Sequence, residues 1–269
     1  SPSYVGNYSD KEPRGVALSA DGNTAFVVFT NSGGGLQIID VSTPARPSLT
    51  GTINTSDDAY DVTLSADGNT AFVADYQDGL DIINVSDLAN PTLTGNFDTH
   101  GARGVALSAD GNTAFVADWN SLDIINVSNP ASPSLTGTYN TSGVALGVTL
   151  SADGNTALIA DGNSGLQIIN VSNPASPSLT ATLDTSGAAY GVAISADGTT
   201  AFVADHDSGL KIIDIGHSQH FSSASDTASI EISGPTLTSA TYNASSGVLA
   251  VAGANLAADS GANNDIDVS

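Results

Sequence analysis

Gly147 to Thr182 reads GVTLSADGNTALIADGNSGLQIINVSNPASPSLTAT, and nearly the same words return four more times. The opening motif, Gly/Asp-Val-Ala/Thr-Leu/Ile-Ser-Ala-Asp-Gly, starts at Gly15, Asp61, Gly104, Gly147 and Gly191, at intervals of 46, 43, 43 and 44 residues. A β-rich period of about 40–45 residues marks the blades of a propeller. Within the quoted copy, Val148–Ser151 predicts a first strand and Thr156–Asp161 a second, joined by an Asp-Gly turn suited to a tight hairpin. Leu166–Val171 predicts a third strand and Ser178–Leu183 a fourth. Pro174 and Pro177 mark the corner between these two, because Pro cannot continue a ladder. The middle strands carry apolar residues on both faces, as at Ala201, Phe202 and Val203, which a sheet sandwiched between two others requires. No window shows helical periodicity.

Composition narrows the setting. The 269 residues leave room for one large repeat domain and something small, and no apolar run approaches the ~18 residues of a membrane helix. The chain starts at Ser1 and holds no Met, as expected of a processed or excised piece. A net charge of -23 repels nucleic acid and anionic lipid heads. The acids are nearly all Asp, which favours turns, and with no Cys there is neither a disulfide scaffold nor thiolate chemistry. Abundant Asp, Asn, Ser, Thr and Gly with scarce Lys fits an extracellular or salt-exposed bacterial surface protein.

The ends decide how the ring closes. The fifth copy runs from Gly191 to Ile215 and then loses the pattern. Pro2-Ser3-Tyr4-Val5-Gly6-Asn7-Tyr8-Ser9 matches Pro133–Asn140 at Pro, Ser, Gly and Tyr. Residues 3–9 are therefore expected to supply the outermost strand of the fifth blade and to hide its edge. The expected fold is all-β: a five-bladed propeller of four-stranded blades over residues 1–216, closed by the N-terminal strand. A linker (217–229) and a partial β segment (230–269) follow, with strands expected around Thr236–Tyr242 and Val248–Ala252.

The stretch Gly35–Thr52, GLQIIDVSTPARPSLTGT, recurs as GLDIINVSDLANPTLTGN from Gly79 and GLQIINVSNPASPSLTAT from Gly165. It resembles the LVIVD repeat of bacterial and archaeal cell-surface β-propellers. The resemblance spans roughly residues 2–215 and implies a surface location and a non-catalytic propeller. It carries no ligand or catalytic set. The tail, SGPTLTSATYNASSGVLAVAGANL, is similar to repeats of large bacterial surface adhesins, and its strands could also pair with a neighbouring subunit.

Repeats allow an internal comparison: positions that recur are scaffold, and positions that diverge on the loop face are candidates for recognition. The residue just before each inner strand reads Arg14, Tyr60, Arg103, Leu146 and Tyr190. Two Arg and two Tyr at one mouth suit an anionic group or a sugar. The plainer reading makes them loop residues, the Arg balancing carboxylates such as Asp61. The loops between second and third strands bring Tyr76, Trp119 and His206 to the same face, where Trp119 would suit stacking on a sugar ring or packing on a neighbouring blade. The candidate ligand-binding set is thus Arg14, Tyr60, Asp61, Tyr76, Arg103, Trp119, Tyr190 and His206. Asp75, Asp118, Asp161 and Asp205 recur at one position. They are expected to bond the backbone of the following turn, with Ca²⁺ ligation as the alternative, as it is for the Asp259–Asp267 tail. His217 and His220 have a His-x-x-His spacing without an evident third ligand.

The leading expectation is a non-catalytic extracellular or cell-surface module that binds glycan or protein through its loop face, with no catalytic residues and no cofactor unless Ca²⁺. One alternative is a structural subunit or spacer of an extracellular assembly, self-associating through the C-terminal strands. Another is a glycoside hydrolase-like propeller, which would need two placed carboxylates such as Asp58 or Asp61 with Asp10 or Glu12.

Overall fold

The structure is a computed structural model that describes residues 5–7, 12–30 and 35–216, and the strands 237–243 and 248–253 of a second unit. The chain divides into two compact units, Ser1–Gly216 and His217–Ser269.

The first unit is a five-bladed β-propeller of antiparallel sheets. Blade one holds β1 (Pro13–Leu18), β2 (Thr24–Phe29), β3 (Gly35–Asp40) and β4 (Ser48–Ile53), hydrogen-bonded in that order. Blade two holds β5 (Asp61–Leu64), β6 (Thr70–Asp75), β7 (Gly79–Asn84) and β8 (Thr92–Phe97). In blade three, β9 (Ala102–Leu107) and β11 (Ser134–Ala145) flank β10 (Thr113–Asn126). β10 carries both middle strands without a break: its first half pairs with β9 and its second with β11. Blade four holds β12 (Gly147–Leu150), β13 (Thr156–Ala160), β14 (Leu166–Asn170) and β15 (Ser178–Leu183). Blade five has three strands among the described residues: β16 (Ala189–Ile194), β17 (Thr200–Asp205) and β18 (Gly209–Asp214). No helix long and apolar enough to cross a membrane occurs among the described residues.

The core lies between blades. Phe26, Val28, Leu36 and Ile38 of blade one pack on Val62, Ala71, Val73 and Ile83 of blade two. The opposite face of blade two, with Phe72, Ala74, Leu80 and Ile82, packs on blade three. This double burial is why the middle strands read as continuous apolar runs. The same layers join blades three and four, and four and five.

Among the described residues no such layer joins blade five to blade one. Leu210 and Ile212 on β18 are 63% and 67% exposed, whereas their counterparts Leu36 and Ile38 are at 0%. Val16 and Leu18 on β1 are 64% and 59% exposed, against 5% for Val62. The closing strand expected over residues 3–9 lies mostly outside the described residues, and residues 5–7 are not part of a strand. Gly6 nevertheless rests on the Pro44 carbonyl, as Gly51 rests on that of Leu88, Gly95 on Pro130 and Gly137 on Pro174. Each of those three glycines belongs to the outer strand of one blade and meets the corner of the next. Gly6 therefore runs where the outer strand of the blade preceding blade one belongs.

In the second unit, β19 (Leu237–Asn243) pairs antiparallel with β20 (Val248–Gly253), near the bounds expected from sequence. The Asp259–Asp267 tail and the pair His217 and His220 lie outside the described residues.

Candidate functional site: an arginine in an aromatic cage

The loop face is organised by a bridge between neighbouring blades. The Tyr76 carbonyl, at the end of β6, accepts from the Ala102 amide of the next inner strand at 2.9 Å. Gly162 repeats this with Ala189, also at 2.9 Å, and Trp119 pairs with Ala145. The bridge sets the residue after the second strand of one blade beside the residue that opens the next inner strand. Tyr76 thereby meets Arg103. The turn requires a left-handed backbone: φ is 52° at Gly162, 36° at Tyr76 and 41° at Trp119. Glycine adopts this freely, whereas a bulky L-residue there is a true outlier. Blades two and three thus hold aromatics where blade four uses the cheaper residue, a kind of strain that tends to gather at functional sites.

The aromatics surround one cation. The Arg103 guanidinium lies 3.8 Å from the centroid of the Tyr60 ring, 4.5 Å from Tyr76 and 5.0 Å from Trp119. Tyr76 packs edge-on to Tyr60 at 5.9 Å and tilted on Trp119 at 6.1 Å. Arg14 approaches Tyr60 from its other neighbour, at 5.8 Å, and its Nε reaches the Thr30 hydroxyl at 3.4 Å. Such cation–π contacts hold a guanidinium plane in place without neutralising it. Arg103 has no carboxylate at ion-pair distance among the described residues, and its buried Nε has no hydrogen-bond partner. Beside it a pocket of ≈ 300 Å³ is lined by Arg103, Trp119, Leu146, Gly162, Asn163 and Tyr190.

Five of the eight candidate residues, Arg14, Tyr60, Tyr76, Arg103 and Trp119, therefore form one cluster. Tyr190 and His206 form a second, with rings 5.4 Å apart, and Tyr190 also lines the pocket that Arg103 faces. His206 is exposed and its Nδ1 lies 2.9 Å from Asp207. Asp61 has a different task from the one expected. Its Oδ2 accepts from the Val105 amide of the next blade at 3.0 Å and its Oδ1 from Val62 at 2.9 Å. It ties two inner strands together, so its oxygens point into the scaffold; burial raises its pKa.

The recurring aspartates also differ from expectation. Asp75 and Asp161 reach back to the loop before the inner strand, not on to the following turn, whereas neither carboxylate oxygen of Asp205 has a hydrogen-bond partner among the described residues. Asp75 Oδ2 accepts from the Asp57 amide at 3.0 Å and Asp161 Oδ2 from Gly143 at 2.8 Å. The following turn is closed by backbone carbonyls instead, as in Asp78 N–H to Asp75 O. Sequence comparison missed their partners on the third strand. That position reads Gln37, Asp81, Asp123, Gln167 and Lys211, a divergence that could have been noticed. In blade four the Gln167 amide donates to Asp161. Blades two and three have a second acid there. Burial, followed by the charges of Asp75 and Asp78, pushes Asp81 up to about 6; burial, followed by the charge of Asp123, pushes Asp118 up to about 6.

A larger cleft of ≈ 690 Å³ is lined by hairpin-turn residues between blades one and two, including Asp21 and Asp67. Those aspartates are fully engaged in turn chemistry. Asp21 accepts from the Ser19 hydroxyl, the Asn23 amide nitrogen and the Asn23 side chain, which holds its carboxyl below the usual range.

A model of the LVIVD repeat matches residues 14–55, 58–99, 101–141, 143–185 and 186–237. The chain belongs to the LVIVD-repeat family. The fifth LVIVD match runs on to residue 237, beyond β18. Pro235-Thr236-Leu237-Thr238 there repeats Pro91-Thr92-Leu93-Thr94 of blade two, so the outer-strand words of the fifth LVIVD copy have a second occurrence, C-terminal to the one at residues 2–9. Among curated proteins none matches the chain. Similar solved structures include a functionally unknown protein from Desulfotomaculum acetoxidans, at 19% identity and a TM-score of 0.68, with 78% of this chain and 70% of that one covered. Kuenenia stuttgartiensis hydrazine synthase is similar at 18% identity and a TM-score of 0.62, covering 75% and 71%. The β-propeller domain of Myceliophteria thermophila Cps50 (Swd1) is similar at 15% identity and a TM-score of 0.62, covering 78% and 72%. At these identities the likeness concerns the fold.

Proposed function

We propose that this LVIVD propeller is a non-catalytic, extracellular or cell-surface binding module that takes an acidic glycan or an acidic protein segment on its loop face. The observation that carries the reading is Arg103, held among Tyr60, Tyr76 and Trp119 without an ion-pair partner among the described residues. Its guanidinium offers planar donors to a carboxylate or sulfate, and the half-exposed Trp119 offers a flat face to a sugar ring or an apolar side chain. Strained backbone at Tyr76 and Trp119 supports the same reading, because the fold would be served by glycine. A glycan and acidic-peptide array tests it. Binding is expected for the native chain, with at least a ~10-fold loss of affinity in Arg103→Ala and Trp119→Ala, about the worth of one charge-assisted contact. Native protein that binds nothing on the array or on cells, or variants that bind as well as the native chain, would overturn it.

A second reading, a subunit of an extracellular assembly, is favoured by the exposed apolar faces of β1 and β18. Fully burying one such Leu or Ile is worth about 1.5–3 kcal/mol, so the open faces would reward a second copy.

A further inference from the structure

Behind Tyr76 lies a second group of residues that the aromatic cage does not use. One carboxylate oxygen each from Asp75, Asp78 and Asp81 lies within 4.8 Å of the other two. Asp75 is fully buried and Asp81 almost so. Asp75 spends Oδ2 on the Asp57 amide, and its buried Oδ1 has no hydrogen-bond partner. The donor that faces the group is the Asn96 side-chain amide. It lies 3.0 Å from Asp81 Oδ1, 3.2 Å from Asp78 Oδ2 and 2.8 Å from the Asp78 carbonyl. This amide, with the Thr55 hydroxyl that also favours the Asp75 carboxylate, cannot offset three carboxylates in a partly dry site.

The other blades show how the chain treats this position when no ion is needed. Blade four places Gln167 where blade two has Asp81, and its amide donates to Asp161. Blade three keeps a second acid, Asp123, but gives it the Thr138 hydroxyl at 2.8 Å and the Ser121 hydroxyl at 3.2 Å. Blade two keeps a neutral donor, Asn96, at the Thr138 position but places a third acid, Asp78, at the Ser121 position, and its buried Asp75 Oδ1, like the Oδ1 of Asp118 and Asp161, has no hydrogen-bond partner. Relative to blade four, blade two has two further carboxylates, Asp78 for Ser164 and Asp81 for Gln167, which a proton-only arrangement does not require.

We propose that Asp75, Asp78 and Asp81 bind a single Ca²⁺ ion at the base of the turn that carries Tyr76. All the side-chain ligands are hard oxygens, without a His, and oxygens this close can share an ion whose bonds are about 2.3–2.6 Å long. Ca²⁺ accepts irregular carboxylate sets, whereas Mg²⁺ demands a near-ideal octahedron and keeps several of its waters. The ion would supply the missing partner of Asp75 Oδ1. It would also pin together the Asp57 loop, the Tyr76 turn and the start of β7, three segments that support one wall of the aromatic cage.

The test uses the full chain stripped with EDTA and dialysed. Added CaCl₂ is expected to raise the melting temperature by roughly 5 °C or more at saturation, and titration calorimetry should read a single ion per chain. Asp81→Asn should abolish both effects. Asp78→Asn, at the half-buried rim, should weaken Ca²⁺ binding at least ~10-fold while the chain still folds. Asp153→Asn, at an exposed hairpin turn, should leave both effects intact. No thermal shift and no heat with millimolar Ca²⁺ in the native chain would overturn the site, as would a shift that survives in Asp81→Asn. An equal response to Mg²⁺ would overturn the choice of ion.

Discussion

Tyr76 and Trp119 occupy a backbone position that Gly162 fills in blade four, with φ between 36° and 52° in all three. A side chain in this region costs about 1–2 kcal/mol. Replacing Tyr76 by Gly should therefore keep chemical-denaturation stability within about 1 kcal/mol of the native value, because relief of strain offsets lost ring packing. Ligand affinity should fall in the same variant. A large loss of stability would show that Tyr76 is a packing residue and not part of a recognition surface. Asp118, one residue before Trp119, gives a pH signature. Burial and then the Asp123 charge raise it, while the nearby His100 lowers it, leaving its pKa at about 6 against an ordinary 3.8. Between those values the folded chain holds more protons than the unfolded one. Stability linked to this group is complete below the ordinary value and is lost as pH rises through about 6. Denaturation in EDTA from pH 4 to 7 should show that fall, at most about 3 kcal/mol for this group, and Asp118→Asn should lessen the fall by that share, leaving the part due to Asp81, which burial also raises to about 6. The exposed turn aspartates such as Asp21 and Asp153 are lowered, so their linked losses begin only below the ordinary carboxylate range and do not mask it. The residue types of this site were legible in the sequence as exceptions to the repeat. That Arg103 stands inside a ring of aromatics was not, because the bridge that brings Tyr76 to Ala102 joins two different blades.

At the scale of the strand, the outer glycines show how blades are spaced. Gly51, Gly95 and Gly137 each lie against the corner carbonyl of the next blade, where a Cβ would collide with backbone. Blade four carries Ala181 at this position, in an exposed strand, and the blade that follows it has no Pro-marked corner among the described residues. Local sequence and long-range packing agree here: the outer strands that carry the glycine are those that meet a described corner carbonyl of the next blade. Gly95→Val should cost about 1–3 kcal/mol through overpacking, whereas Ala181→Val should stay within about 0.5 kcal/mol. Urea midpoints would check both, and equal effects would contradict this account of blade spacing. The strands themselves were legible because hairpin chemistry and two-faced burial both write plainly in sequence. The carboxylate pairs were not, since Asp75 and Asp81 become neighbours only through the pairing of β6 with β7.

For the whole propeller, the consequence lies at the seam between blades five and one. Leu210, Ile212, Val16 and Leu18 are exposed at positions where every other blade pair is packed. Light scattering at rising concentration should show self-association that Leu210→Asp and Ile212→Asp together suppress, with little change in melting temperature since neither side chain is buried. A strictly monomeric native chain would remove the support for an assembly subunit. By itself the sequence determined the repeat, the blade count, the hairpin turns and the two-faced strands, because these rest on local conformational preference and on a period that recurs along the chain. Only the tertiary structure decided which divergent residues meet, that Asp61 serves the scaffold, that three carboxylates converge behind Tyr76, and that two apolar faces stand open at the seam. Those are relations between blades some forty residues apart, fixed by backbone bridges and interblade packing that no single repeat contains.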